Sequence, residues 1–310
     1  MTVSVMKKAL WEYGSCPLCG NADSGFILYR FGPVAQYASS IEWSSEFGSL
    51  GLRRCPCCGL FYLCPRPTEE FVRSIYASKD YFEKDAGLGY EDYAVQETSL
   101  RRTFKRFLVT LRRQGLVRGS MADIGCGPGY LLDEAKPFFR LRMGTDMCPE
   151  MAAQASALCD GVVCGGPRDL ADVRRVFDLV TSISVLEHLY DPVDFLTGCA
   201  ESLKDRGAVV LVTPNMNGFW RQCTGRRWPS FKLPEHIAFY DKRTLAVLAD
   251  RAGMELVRVF PYHEEFPLGL ILAKVGLGLP GKWSRRGPSV LLPNVMIAGV
   301  FKMKARSTGI

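Results

Sequence analysis

The chain has 310 residues, of which 47% are hydrophobic and 23% charged, with a formal net charge of +7 and a mean hydropathy of +0.02. That composition buries a core and excludes a disordered or collagenous chain, and the length suggests about two domains. No run of about 18 uncharged apolar residues occurs, so a spanning helix is not expected. The stretch Met1 to Tyr13 lacks the apolar centre of a secretory signal, so a soluble, cytoplasmic protein is expected.

The excess charge has an address. No acidic residue follows Glu265, and the segment from Phe266 to Ile310 carries seven cations, so residues 1–265 are balanced at 32 of each sign. A broad basic face is therefore absent, which argues against nucleic acid as the partner. The apolar, cationic tail has two readings. It is a final β-hairpin with Asn294–Phe301 inside a sheet, or Leu268–Leu279 and Lys282–Arg286 rest on an anionic membrane.

In chain order, residues 1–66 hold two cysteine pairs and short strand-like runs such as Gly25–Phe31. Thr68-Glu69-Glu70 opens a helix, and Tyr81, Phe82, Tyr90 and Tyr93 form an aromatic connector. The spacing of Leu100, Phe104, Phe107, Leu108 and Leu111 predicts an amphipathic helix from about Gln96 to Gln114, ended by Gly115. Strands are then predicted at 121–125, 141–146, 161–165, 177–183, 207–213, 255–261 and 294–304. Helices fall between them, at about 129–139, 149–158, 191–204 and 242–252. Such alternation predicts a Rossmann-like, doubly wound α/β fold with a mostly parallel seven-stranded sheet. The expected units are an N-terminal module at 1–66, a helical connector at 67–118, and a core at 119–310 with a substrate loop at about 214–240.

Cys16-Pro-Leu-Cys19-Gly20 and Cys55-Pro-Cys-Cys58-Gly59 are two C-P-x-C-G knuckles separated by 35 residues. Each presents two thiolates on a tight turn, and two such turns complete a tetrahedral site suited to Zn²⁺. Cys16, Cys19, Cys55 and Cys58 are the expected ligands of a zinc ribbon, with Cys57 as the substitute. Four sulfurs close the coordination sphere, so this zinc is structural.

Met121-Ala-Asp-Ile-Gly-Cys-Gly-Pro-Gly129 places three alternate glycines between a buried strand and a helix. Glycine allows a sharp turn and close approach of a ligand to backbone. The dinucleotide pattern G-x-G-x-x-G fails in both frames, at Tyr130 and at Leu132, and no Gly-Lys-Ser/Thr follows for a phosphate loop. The segment resembles the D-x-G-C-G-x-G motif of the class I S-adenosylmethionine (SAM) methyltransferases. The resemblance runs over about residues 71–310, through Met143-Gly-Thr-Asp146, Phe177 to His188, Asp191-Pro192, Gly207 to Asn215 and Pro234 to Tyr240. It implies that Gly125, Gly127 and Gly129 cradle the methionine portion, that Asp123 attracts its ammonium, and that Asp146 accepts the ribose hydroxyls. Asp169 is the candidate for adenine, although Gly166-Pro167-Arg168 displaces the family's usual acidic pattern. The chain is also similar to bacterial methyltransferases with an N-terminal four-cysteine module, many of which act on sugars, lipids or natural products. Nucleotide-sugar C-methyltransferases of that kind carry a further C-terminal domain, so sugar C-methylation is not expected.

Methyl transfer needs alignment, and a base where the acceptor must lose a proton. Of three histidines, His236 and His188 lie inside the matching blocks and are the catalytic candidates, with His236 foremost; His263 reads as an exposed turn residue. Ubiquinone-pathway and small-RNA methyltransferases hold a divalent ion with Glu-x-x-Glu-His and a later His. Ser184 stands where the first of those carboxylates would be, so a catalytic Mg²⁺ is not expected. Trp220, Arg221, Arg226 and Arg227 combine a stacking face with guanidinium forks, which suits a phosphate or carboxylate on the acceptor; the alternative is a solvated loop anchored by its tryptophans. The expected function is methyl transfer to an oxygen of a small-molecule, sugar or lipid-linked acceptor. Two others are weighed against it: an RNA methyltransferase gripping RNA with its ribbon, and a SAM-binding protein without catalysis. Against the first, residues 1–66 hold six cations only.

Overall fold

The computed structural model describes residues 10–23, 25–32, 50–76, 93–173, 175–274 and 288–304. The expected connector aromatics Tyr81, Phe82 and Tyr90, and the tail cations Lys282, Arg285 and Arg286, lie outside them.

The N-terminal strands are β1 (Trp11–Glu12), β2 (Phe26–Phe31), β3 (Leu50–Arg54), β4 (Phe61–Cys64) and β5 (Arg66–Pro67). Helices α1 (Glu69–Tyr76) and α2 (Tyr93–Arg113) follow. The core then alternates: β6 (Ser120–Ile124), α3 (Tyr130–Glu134), β7 (Leu141–Asp146), α4 (Pro149–Ala155), β8 (Gly161–Cys164), β9 (Phe177–Ile183), α5 (Pro192–Glu201) and β10 (Leu203–Pro214). Next come α6 (Phe219–Thr224), β11 (Ala238–Phe239), α7 (Lys242–Arg251), β12 (Met254–Pro267), α8 (Leu268–Lys274) and β13 (Ser289–Met303).

Seven strands form one sheet in the order β12-β13-β10-β9-β6-β7-β8. Strand β13 is antiparallel to both of its neighbours, and the pairs from β10 to β8 are parallel. This is the expected doubly wound architecture. The interior strand β10 shows why the sequence reads as continuous apolar residues: Ala208, Val210 and Val212 pack on one face, Val209 and Leu211 on the other, and all are buried. One layer is α2, α3 and α4, through Phe107, Leu108, Leu111, Leu131, Leu132 and Ala155. The opposite layer is α5 and α7, through Leu196, Cys199, Leu245 and Leu248. Caps set the starts of these two helices: Asp191 accepts from the Asp194 amide, and Asp241 and Thr244 form a reciprocal capping box.

Two features differ from expectation. The last two strands run on from 261 to 267 and from 294 back to 289, as a long hairpin paired as far as Pro267 opposite Ser289. Pro261 reads as a strand end, but β12 is an edge strand, where a missing backbone donor is tolerated. His263 consequently sits within β12, half-buried, and its Nδ1 accepts from the Asn294 amide at 3.1 Å; it is not a turn residue. Second, β11 leaves the core and joins the N-terminal strands in a four-stranded sheet, β11-β4-β3-β2. The N-terminal module and the expected substrate loop thus share a sheet, and Trp11, Leu50, Leu52, Leu63, Met216, Trp228, Leu233 and Phe239 share a core.

Candidate functional site

The turn after β6 runs through Gly125, Gly127 and Gly129 with φ of +75°, +53° and +84°. These are left-handed values that favour glycine. Space demands it too: a Cβ on Gly125 would lie 2.4 Å from Val185 Cγ2, and one on Gly129 would lie 2.9 Å from Ala155 Cα. The amides of Gly125 and Cys126 donate to the Thr145 carbonyl at 2.8 and 2.9 Å, which ties the turn to the end of β7. There Asp146 accepts from the Gly127 amide on Oδ2 at 2.8 Å and from the Cys148 amide on Oδ1 at 2.9 Å. A carboxylate has about four lone-pair positions, so two acceptor positions remain.

Asp123 is buried on β6 and accepts from Thr181 Oγ1 at 2.7 Å. Burial pushes its pKa up to about 7, the Thr181 hydroxyl works against that, and Asp146 adds repulsion. Asp146 is raised by burial as well, opposed by its two backbone donors. The structure therefore brings Asp123, Gly125, Gly127, Gly129 and Asp146 to the ends of two adjacent parallel strands, where such sheets bind ligands. Asp169 is exposed beyond β8, its Oδ2 accepting from the Gly166 amide at 2.8 Å, and the neighbouring Gly165 amide donates to the Asp146 carbonyl at 2.9 Å.

A second group gathers beyond β9. Glu187 and His188 lie on a short helical turn, and His236 precedes β11. The buried Glu187 accepts from Thr213 Oγ1 at 2.9 Å on Oε2, while its Oε1 has no partner. His188 Nδ1 lies 3.1 Å from the Glu235 carbonyl, and His236 Nδ1 lies 2.9 Å from that of Ser230. A carbonyl only accepts, so each Nδ1 carries its proton and each neutral ring keeps an acceptor at Nε2. The rings meet edge to face at 4.6 Å. Burial, with the Lys232 cation, lowers His188 to about 4; burial, then His188 and Lys232, hold His236 well below the usual value. Glu187 is pushed up to about 7 by burial. One ligand atom from each of the three lies within 4.8 Å of the others. Two imidazoles and one carboxylate suit a borderline transition ion better than Mg²⁺, which prefers oxygen.

The Arg-rich loop is partly structural. Trp220 donates Nε1–H to the Pro293 carbonyl at 2.7 Å, and Arg221 donates to the Met216 carbonyl at 2.8 Å and the Tyr29 hydroxyl at 3.4 Å. Arg226 and Arg227 are exposed, and Arg226 reaches the Arg30 carbonyl. Trp228 is buried against Phe231 and Phe239, so it is a core anchor rather than a stacking face. Tyr29 and Phe31, which no sequence motif marks, pack edge to face with Phe231, and the Tyr29 hydroxyl accepts from Arg221. Nothing local to β2 signals that neighbourhood.

The two knuckles come together as expected. Cys16 Sγ lies 3.5 Å from Cys58 Sγ, and Cys19 Sγ 3.5 Å from Cys55 Sγ; all four sulfurs fall within 4.8 Å of one another. A tetrahedron of ~2.3 Å Zn–S bonds has edges of about 3.8 Å, so this donor set fits zinc. The turns repeat the same bonds: Gly20 to the Cys16 carbonyl and Cys16 to that of Asn21, then Gly59 to Cys55 and Cys55 to Leu60. Cys57 is exposed and outside the cluster.

Residues 95–259 match a family model described as a methyltransferase domain, more than half of the chain, and the chain belongs to that family. Its class is that of the SAM-dependent methyltransferases. Over 126 residues it is 34% identical to a ubiquinone biosynthesis O-methyltransferase of Cereibacter sphaeroides, covering 37% of this chain and 50% of that protein. A protein of the same name from Bradyrhizobium diazoefficiens is 27% identical over 173 residues, covering 49% and 67%. The chain thus spans about half the length of the first of these relatives. Among solved structures, a Thermotoga maritima protein described as a SAM-dependent methyltransferase, possible histamine N-methyltransferase, superposes with a TM-score of 0.48 at 15% identity, covering 68% of this chain and 92% of that one. Among the described residues, no helix is long and apolar enough to cross a membrane.

Proposed function

We propose that the chain transfers the methyl group of SAM to an oxygen of a small-molecule, sugar or lipid-linked acceptor. SAM supplies a methyl group on a sulfonium centre, open to in-line displacement by a nucleophile. The single observation carrying this reading is Asp146: a buried carboxylate at the end of the second parallel strand, hydrogen-bonded to the amide of the glycine turn and left with acceptor capacity for two adjacent hydroxyls. Gly125, Gly127 and Gly129 admit the methionine portion against backbone, Asp123 as carboxylate attracts its ammonium, and Asp169 is assigned to adenine.

On the acceptor side, His236 takes the acceptor's proton at Nε2, supported by its fixed Nδ1–H and its neutral state. His188, edge-on to that ring, restricts its orientation. Trp220, Arg221, Arg226 and Arg227 contact the acceptor, the exposed pair receiving an anionic group. Cys16, Cys19, Cys55 and Cys58 hold a structural zinc. The module at 1–66, the connector at 67–118 and the core at 119–310 are the corresponding units, in a cytoplasmic enzyme. The names of the curated relatives favour oxygen and a biosynthetic acceptor. The test is incubation with methyl-labelled SAM and separated polar, lipid and RNA fractions. Label in a polar or lipid product supports the reading, label in RNA replaces the acceptor class, and no label in any fraction refutes transfer.

A further inference from the structure

The four-cysteine centre and the acceptor-side imidazole are joined by a continuous backbone relay. The Cys55–Cys58 knuckle closes when the Cys55 amide donates to the Leu60 carbonyl at 2.8 Å, and β4 starts at the next residue. Strand β4 pairs with β3 on one side and β11 on the other, Tyr62 facing Ala238 and Phe61 facing Phe239. Just before β11, Ile237 is bonded in both directions. Its carbonyl accepts from the Leu63 amide at 2.8 Å, and its amide donates to the Glu187 carbonyl at 2.9 Å. One buried residue, adjacent in the chain to His236, therefore ties the cysteine module to the turn that carries Glu187 and His188.

Two side chains pack beside the link. Tyr62 and Tyr240 are wholly buried, and neither hydroxyl has a hydrogen-bond partner. Tyr62 feels the thiols of Cys64, Cys16 and Cys55, whereas Tyr240 feels Cys16, Glu187 and Cys58. Both rings belong to the buried cluster that also holds Cys16, Cys55 and Cys58. The donor side is wired differently: the bonds of the glycine turn run to Thr145 and Asp146 of β7, not to the N-terminal sheet.

We propose that the metal-loaded cysteine centre positions His236, and the turn that carries His188, for the acceptor, through β4 and Ile237, and leaves the donor pocket unaffected. This rests on the zinc and His236 assignments proposed above. Metal binding stabilises small tetrathiolate modules, so zinc loss loosens β4 first and its partner β11 with it.

The test uses the full chain, with metal content measured first. Zinc-loaded and chelator-stripped reduced protein are compared by hydrogen exchange and by stabilisation with S-adenosylhomocysteine (SAH). Stripping is expected to lower protection at residues 60–64, 186–188 and 234–240 together by about tenfold or more, with 120–127 and 143–148 unchanged and SAH stabilisation retained. An unchanged 234–240 segment overturns the proposal, as does a loss of SAH stabilisation in parallel. If the purified chain holds no metal, the zinc assignment fails separately. Cys58→Ser then perturbs the thiol cluster directly, the same exchange pattern is expected, and its absence overturns the coupling.

Discussion

Gly115 and Gly129 offer a controlled comparison of what a glycine in the donor turn is for. Both have left-handed backbones, with φ of +72° and +84°. Alanine at either position meets the same local cost of about 1–2 kcal/mol, partly offset by the ~0.4–1 kcal/mol that alanine removes from the unfolded chain's entropy. Their surroundings differ. A Cβ on Gly115 has nothing within 4 Å, whereas one on Gly129 lies 2.9 Å from both Cα and Cβ of Ala155. Ala155 is wholly buried on α4 and has no flexible end to move aside, so overpacking adds roughly 1–3 kcal/mol. Gly115→Ala is therefore expected to lose about 1 kcal/mol in urea denaturation and Gly129→Ala about 2–4 kcal/mol. Calorimetric titration with SAH separates the functional part. Gly115→Ala should bind as the parent does, while relieving the Gly129 contact shifts the turn and weakens binding about tenfold, equivalent to ~1.4 kcal/mol. Equal destabilisation by the two variants, or parental SAH affinity in Gly129→Ala, refutes the reasoning.

Asp146→Asn keeps one acceptor oxygen and turns its NH₂ group on the second of the two backbone amides, and SAH affinity is expected to fall about 10- to 100-fold, since hydrogen bonds to charged groups contribute ~1.5–3 kcal/mol; titration calorimetry measures it. Asp123 holds its proton to about pH 7 in the folded chain, against 3.8 as its ordinary value, so it favours folding at low pH and that contribution is lost as pH rises through about 7. A bound ammonium favours the carboxylate, so SAM affinity should rise across the same window with proton release, seen as buffer-dependent binding heat, and Asp123→Asn should flatten that dependence. Reversing Arg226 and Arg227 to Glu should raise the acceptor's KM and leave the KM for SAM unchanged; unchanged acceptor kinetics remove the pair from the site. Cys19→Ser should lose bound zinc and Cys57→Ser should keep it, by metal analysis of the purified variants.

Where a stretch of sequence carries its own structural reason, the reading holds. Strand β9 falls at 177–183 as expected, because it is a mostly apolar run in a sheet covered on both faces, and β7 falls at 141–146, ending on Asp146 as the spacing from the glycine turn predicts. The cysteine quartet is likewise legible, since each knuckle is local and only the pairing of the two is not. What escapes is set by distant partners. Ala238 and Phe239 look like two residues of a loop until Tyr62 and Phe61 supply the ladder. Trp228 sits next to exposed arginines in the chain, and only Phe231 and Phe239 make it core. Glu187 is a lone carboxylate in sequence; its unpartnered Oε1 and its contact with Thr213 emerge when β9 and β10 lie side by side.

The central claim is tested most directly by a crystal structure of the chain with SAH at saturating concentration. SAH is expected at the carboxyl ends of β6 and β7, with its ribose hydroxyls on Asp146 and its methionine portion against the 125–129 turn. An empty crevice there, with SAH absent or bound elsewhere, contradicts it.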